Sequence, residues 1–246
     1  MPLVAGPQYL GLAAAQEGGT TGIRARSRAL GSAMEMRTRR GGMTMIGVLA
    51  YGSLITDPGP ELAAITLGVT KDVLTPFPVE FARKSRKRSG APTLVPVEAG
   101  GCSVRAVIFE VEVTASHVAD IVYRREIHAV GSGKTYAEPA PDRSDAVRIA
   151  RFEGLAGFDL VLSTQLAANI DPLSAETLAD LAIASAEALS DGRDGISYLI
   201  AARANGIETP LSPHYAACIL EKTGTADLAA ALRVVRDGAV ASRQAR

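Results

Sequence analysis

Apolar and polar positions fall into two regimes along this chain. Up to Ser163 they alternate or gather in short apolar blocks, as strands require; beyond it they recur on a helical period. Met45–Ala50 reads as a buried strand, and Asp57-Pro58-Gly59-Pro60 as a turn-forming cluster. Val73–Ala82 and Thr93–Val97 read as strands that Pro76, Pro78 and Pro96 push toward sheet edges or bulges. Ser103–Val113 is a clearer strand, with Val104, Ala106 and Ile108 alternating. Thr114 or Ser116 caps a short helix running to about Glu126, its apolar stripe formed by Val118, Ile121 and Val122. Gly131–Asp145 reads as a loop. Val147–Phe152 and Phe158–Ser163 read as a hairpin closing across Glu153-Gly154-Leu155-Ala156-Gly157.

The second regime predicts four helices. Ser174–Leu189 carries Leu178, Leu181 and Leu189 on a helical period and is ended by Asp191-Gly192. Ile196–Asn205 is stopped by Gly206 at a C′ position. Pro213–Lys222 and Thr225–Arg236 complete the series. A mostly β first half with one helix, then a helical cap, is an α+β arrangement in one domain spanning 43–246, with its helical portion at about 170–238.

Composition narrows the function classes. The chain has 246 residues and is 47% hydrophobic, enough for a sizeable core. Lys+Arg and Asp+Glu balance at 26 each, so no bulk positive field argues for nucleic acid. Trp is absent and aromatics make up 4%, so the core must be aliphatic and Ala-rich. Cys102 and Cys218 stand far apart and make neither a metal spacing nor a disulfide framework; a reducing cytoplasm is the default expectation. No apolar run approaches the roughly 18 residues of a membrane span.

Residues 1–42 differ from the rest. They hold six Arg against two Glu, and all five Met of the chain lie at positions 1, 34, 36, 43 and 45. Such a leader fits an organellar transit segment or, more simply, a start codon placed too early, with Met43 or Met45 beginning the functional chain. The segment is expected to be poorly ordered and outside the site.

Two segments carry candidate chemistry. In Ile46-Gly47-Val48-Leu49-Ala50-Tyr51-Gly52-Ser53-Leu54-Ile55 an apolar strand ends abruptly at Tyr-Gly-Ser. Gly52 lets the main chain turn sharply and lets a ligand approach it, and successive N–H groups in such a turn can converge on an anion. An ordinary strand-turn has the same letters. In Ile121-Val122-Tyr123-Arg124-Arg125-Glu126 a carboxylate ends the short helix on the side of its apolar stripe, four residues after Val122. A glutamate there is costly unless paired or functional. Arg124 and Arg125 are its candidate partners, and a structural Glu–Arg pair is the plainer alternative.

Taken together, these segments resemble the gamma-glutamylcyclotransferase family, including its ChaC-like and AIG2-like branches. Tyr51-Gly52-Ser53-Leu54 matches the family's loop after the first strand, and Arg125-Glu126 matches the Arg-Glu after its helix. Phe81-Ala82-Arg83, Gly90-Ala91-Pro92 and Ile196–Ala217 resemble further elements, so that the resemblance covers about residues 45–220. It implies a mixed β-barrel or sheet with one short helix in the barrel half and a helical C-terminal cap. It implies a cofactor-free reaction on a small-molecule γ-glutamyl peptide or amine, glutathione among them, giving 5-oxoproline and a free amine. Glu126 would be the general acid/base, and Tyr51, Gly52, Ser53, Leu54, Arg83 and Tyr136 would bind substrate. Tyr136 stands for an aromatic that in the ChaC branch lies just past the glutamate; here a longer Ile127–Thr135 loop intervenes.

Other motifs point nowhere so specific. Gly131-Ser132-Gly133-Lys134-Thr135 looks like the end of a phosphate-binding loop, but His128 stands where the motif needs Gly. Arg83-Lys84-Ser85-Arg86-Lys87-Arg88 reads as a solvated loop that can meet an anionic substrate; no interleaved aromatics support RNA. His117, His128 and His214 share no ligand spacing, so no metal is expected. Ser53 with a distant His is no triad. The alternative to an enzyme is a non-catalytic small-ligand or protein-binding module on the same fold.

Overall fold

β1 (Ile46–Ala50) is buried along its whole length, as an unbroken apolar run requires of a strand covered on both faces. The computed structural model describes residues 44–244, so the expectation for residues 1–42 lies outside the described residues. β1 pairs antiparallel with β5 (Arg105–Val111) and parallel with β7 (Leu160–Gln165). β2 (Thr66–Leu74) flanks β5, and β6 (Arg148–Glu153) flanks β7, both antiparallel. The result is a mixed sheet in the order β2-β5-β1-β7-β6.

Between β1 and β2 the chain makes two short helices, α1 (Ser53–Thr56) and α2 (Pro60–Ile65). They escape the hydrophobic pattern because each presents one buried residue, Leu54 and Leu62. Pro60, counted with the turn cluster, starts α2 in the first-turn position where a missing N–H costs nothing. α3 (Ala115–Glu126) is capped by Thr114, whose hydroxyl accepts from the His117 N–H at 3.3 Å. Its Val118, Ile121 and Val122 share one core with Leu54, Leu62, Ile46, Val48, Phe109 and Leu162. Alternate sheet positions Leu49, Ala106, Ile108 and Val161 make a second core with Phe158, from the turn before β7.

The expected barrel does not close. β3 (Val79–Ser85) and β4 (Ala91–Pro96) form a separate antiparallel ribbon, and the five-stranded sheet stays open. The ribbon's Val79, Phe81 and Leu94 are buried instead among four helices: α4 (Ala175–Ala188), α5 (Gly195–Ala204), α6 (Ser212–Thr223) and α7 (Leu228–Gln244). The strand expected over Val73–Ala82 is two strands. Pro76 and Pro78 can donate no ladder bond, and the buried Thr75 hydroxyl donates to the Phe77 carbonyl at 2.8 Å and accepts from the Val104 N–H at 3.0 Å. β2 was hidden by its alternation, which turns Leu67, Val69 and Leu74 outward at the sheet edge.

Glu80 fastens the ribbon to the helices. Fully buried, it accepts from the Thr209 hydroxyl and from the Leu211 N–H at 3.1 Å. Asp194, also fully buried, caps α5 through the Ser197 N–H at 2.8 Å and pairs with Arg236 of α7 at 2.8 Å. Thr44–Arg246 forms one unit, and among the described residues no helix is long and apolar enough to cross a membrane.

Candidate active site

The end of β1 and the end of α3 meet at one cavity. Tyr51, Ser53 and Leu54 arrive from the turn into α1, and Glu126 and Arg125 from the last turn of α3. The ribbon contributes Arg83, Thr93, Leu94 and the basic turn, and α5 contributes Tyr198. The cavity holds about 910 Å³, at the upper end of what small-molecule sites usually occupy.

Gly52 makes the turn possible. Its φ of 64° and ψ of −135° belong to a region that side chains avoid. A Cβ there would also collide with the Tyr198 hydroxyl. The strand therefore hands the chain to α1 with α5 packed directly over the glycine.

Arg125 is the organising side chain. One terminal nitrogen donates to Glu126 Oε1 at 2.8 Å. The other donates to the Asp57 carbonyl at 2.7 Å and lies 3.4 Å from Ser53 Oγ. The Glu126 and Arg125 side chains are only 18% and 16% exposed, so the carboxylate is oriented by a fork with little freedom. Of the two candidate partners only Arg125 reaches Glu126. Arg124 turns away and is buried against Glu61 at 2.9 Å and the Lys134 carbonyl at 2.8 Å. Glu61 in turn accepts from the Gly131 N–H at 2.8 Å. The Gly131–Thr135 segment is thus bound to α2 and α3 through its own backbone.

The electrostatics of the cavity are lopsided. Arg83, Lys84, Arg86, Lys87, Arg88, Arg125 and Arg193 line it, against the carboxylates of Asp57, Glu126 and Asp145. Burial pushes the Tyr51 hydroxyl well above the usual phenol range, with Tyr198 and the Glu126 charge adding to the rise. Burial also raises Tyr198, against the opposing pull of Arg88 and the main chain at Leu94 and Ser53. Both phenols therefore stay protonated donors at neutral pH. Burial lowers His128, while the Glu126 charge works the other way. His128 sits just past α3 at a φ of 54°, a conformation uncommon for a side-chain-bearing residue.

Of the sequence-predicted site residues, Tyr51, Ser53, Leu54, Arg83 and Glu126 come together on this cavity, and Gly52 shapes its wall. Tyr136 does not line it. Its ring packs edge-on to Tyr123 at 5.6 Å, and its hydroxyl donates to Glu138 and accepts from the Ile149 N–H at 3.2 Å. The long loop after Glu126 carries the tyrosine onto the flank of α3, where it serves as a strut. Arg83 is partly committed, donating to the Ala167 carbonyl at 2.6 Å and lying 3.8 Å from Asp145.

Sequence reasoning missed Tyr198 as a wall residue; the basic run, read as a solvated loop that can meet an anionic substrate, lies along the cavity. Nothing local to either segment indicates what it faces, because each contact joins stretches about a hundred residues apart. Among the described residues no group of three or more His, Cys, Asp or Glu side chains is placed to hold a metal. Comparison of the chain with models of known protein families and with curated proteins finds no match.

Proposed function

We propose that the protein is a cyclotransferase of the gamma-glutamylcyclotransferase type, converting a γ-glutamyl peptide or amine into 5-oxoproline and a free amine. The observation that carries this reading is the Glu126 carboxylate, oriented by Arg125, on the same cavity as the Tyr51–Leu54 turn. In the reaction the substrate's own α-ammonium gives a proton to Glu126, and the freed amine attacks the γ-carbonyl carbon. A tetrahedral oxyanion forms and collapses. The amide C–N bond breaks as Glu126 returns the proton to the departing amine; the regenerated carboxylate then takes the second proton from the ring nitrogen, leaving a neutral lactam, and passes it to the released amine, which departs as an ammonium. The nucleophile is tethered, so the protein need only hold the substrate folded; favourable geometry of this kind supplies several kcal/mol, about 7–11 when ideal. The protonated Tyr51 and Tyr198 hydroxyls and the main chain of Gly52–Leu54 are the donors for the oxyanion or the α-carboxylate. Arg83 is a second candidate for the carboxylate.

A non-catalytic binding module is the second reading. It draws on the same Arg125–Glu126 contact at 2.8 Å, which a structural pair would also make. The two part on one assay: release of 5-oxoproline from glutathione and a panel of γ-glutamyl dipeptides and amines. Turnover abolished by Glu126→Gln supports the enzyme. Saturable binding of the panel without product supports the module.

A further inference from the structure

The 3₁₀ turn Arg86–Arg88 between β3 and β4 puts a block of positive charge on the rim of the cavity. In a chain with as many acids as bases, that concentration calls for a cause. Most of the other cationic lining residues are already answered. Arg125 has Glu126 at 2.8 Å, Arg193 has Asp191 at 2.7 Å, and Arg83 and Arg86 share Asp145 at 3.8 and 3.6 Å. Lys84, Lys87 and Arg88 have no carboxylate partner among the described residues.

This is not a free-swinging charged loop. The Lys84 N–H donates to Asn169 Oδ1 at 2.7 Å, and the Gly90 N–H closes the turn on the Ser85 carbonyl at 2.9 Å. Arg88 lies with its guanidinium 5.0 Å above the Tyr198 ring and donates to the Arg193 carbonyl at 3.3 Å. A charge kept only for solubility needs none of this fixing.

Depth along the cavity says which part of a substrate the block meets. Glu126 and Tyr198 are sheltered, whereas Lys84 and Lys87 are exposed. A γ-glutamyl group whose ammonium reaches Glu126 occupies the sheltered end, and its amide then points the rest of the molecule toward the rim. We propose that Lys84, Lys87 and Arg88 form the subsite for the amine half of the substrate, and that this half carries at least two negative charges, as a dicarboxylate or a phosphomonoester does. The proposal rests on the cyclotransferase reading for its orientation. Its chemistry is charge pairing: one cation held in place, Arg88, and two on a fixed backbone turn, Lys84 and Lys87, exceed what one carboxylate can answer, and phosphate or paired carboxylates suit arginine and lysine together.

The test uses two pairs of compounds matched except for charge: γ-glutamyl-glutamate against γ-glutamyl-glutamine, and γ-glutamyl-phosphoethanolamine against γ-glutamyl-ethanolamine. The full chain is assayed for 5-oxoproline release, and the same four compounds are titrated into it by calorimetry. Each exposed ion pair is worth up to about a fivefold change at low ionic strength. The more anionic member should therefore win in kcat/KM by up to about fivefold in the glutamate pair, which differs by one charge, and by about tenfold in the phosphate pair, which differs by up to two. The advantage should vanish near 1 M salt, where the Debye length is about 3 Å, and fall to about threefold or less in a Lys84→Ala, Lys87→Ala double variant. Both lysines are exposed, so the variant should fold, which its melting temperature checks. Discrimination in only one pair identifies the source of the charge and keeps the subsite. Equal kcat/KM within both pairs overturns the subsite and leaves the reaction standing. If none of the four yields 5-oxoproline, the reaction reading fails, and calorimetry decides the subsite by itself: tighter binding of the anionic members keeps it, and equal or absent binding overturns it.

Discussion

Replacing Glu126 by Gln separates catalysis from structure at the residue on which the proposed function depends. Gln keeps the volume and keeps an oxygen for the Arg125 N–H now donated at 2.8 Å. Arg125 also retains the Asp57 carbonyl at 2.7 Å, so the fork need not move. What is lost is the charge. For a hydrogen bond of this kind the charged part is worth about 1 kcal/mol, and partial exposure of both side chains trims it. A domain of this size should then melt about 2–4 °C lower at most. The rate should respond far more, because an amide cannot take the ammonium proton at neutral pH, and loss of a general base costs about 10²–10⁴-fold. Rate of 5-oxoproline release and Tm are to be measured on one preparation, with substrate binding to the inactive variant confirming an intact site. A variant that melts much lower yet turns over at near the wild-type rate would refute the reasoning and leave Glu126 as half of a structural pair.

Adjacent arginines should give opposite phenotypes. Arg124→Ala strands Glu61 and should cost about 2 kcal/mol in denaturant unfolding with little effect on kcat, whereas Arg125→Ala should lower kcat by about 10²-fold through a misdirected Glu126, with the smaller loss of stability. Gly52→Ala combines a positive φ with a collision at the Tyr198 hydroxyl and should destabilise by about 2 kcal/mol or more; adding Tyr198→Phe removes the collision and should recover part of that loss in urea titrations, while leaving the backbone strain. The Gly131 N–H, then Arg124, hold the Glu61 carboxyl below the usual carboxylate range. A depressed carboxylate stabilises the fold above its unfolded value of about 4.3 and stops doing so as pH falls through its folded value, so the Tm advantage of wild type over Glu61→Gln should shrink as pH is lowered from about 5 to about 3.

How much of this was legible beforehand depends on the distance over which each feature is decided. The strand at Ile46–Ala50, the capped helix ending at Glu126, the hairpin of β6 and β7 and the four C-terminal helices are written in local periodicity and caps, and the structure has them within about three residues, except that the last helix, expected to end at Arg236, continues through Gly238 to Gln244. Tyr51, Ser53 and Glu126 could be singled out because a strand-ending glycine turn and a carboxylate on an apolar stripe are local anomalies. Sheet closure was another matter. Whether β3 and β4 complete a barrel or join the helices depends on where Val79, Phe81 and Leu94 find apolar partners, and those partners lie about a hundred residues on. The division of labour between Arg124 and Arg125 came from a turn of about 100° per residue, which sends neighbouring side chains to different faces of α3. The course of the loop after Glu126 put Tyr136 outside the cavity, and the packing of α5 over Gly52 put Tyr198 inside it. Local pattern determined most elements of this protein, though not α1, α2 or β2, because caps, turns and periodicity act within a few residues. The tertiary structure alone decided which side chains face the cavity, because that depends on packing between elements far apart in the chain.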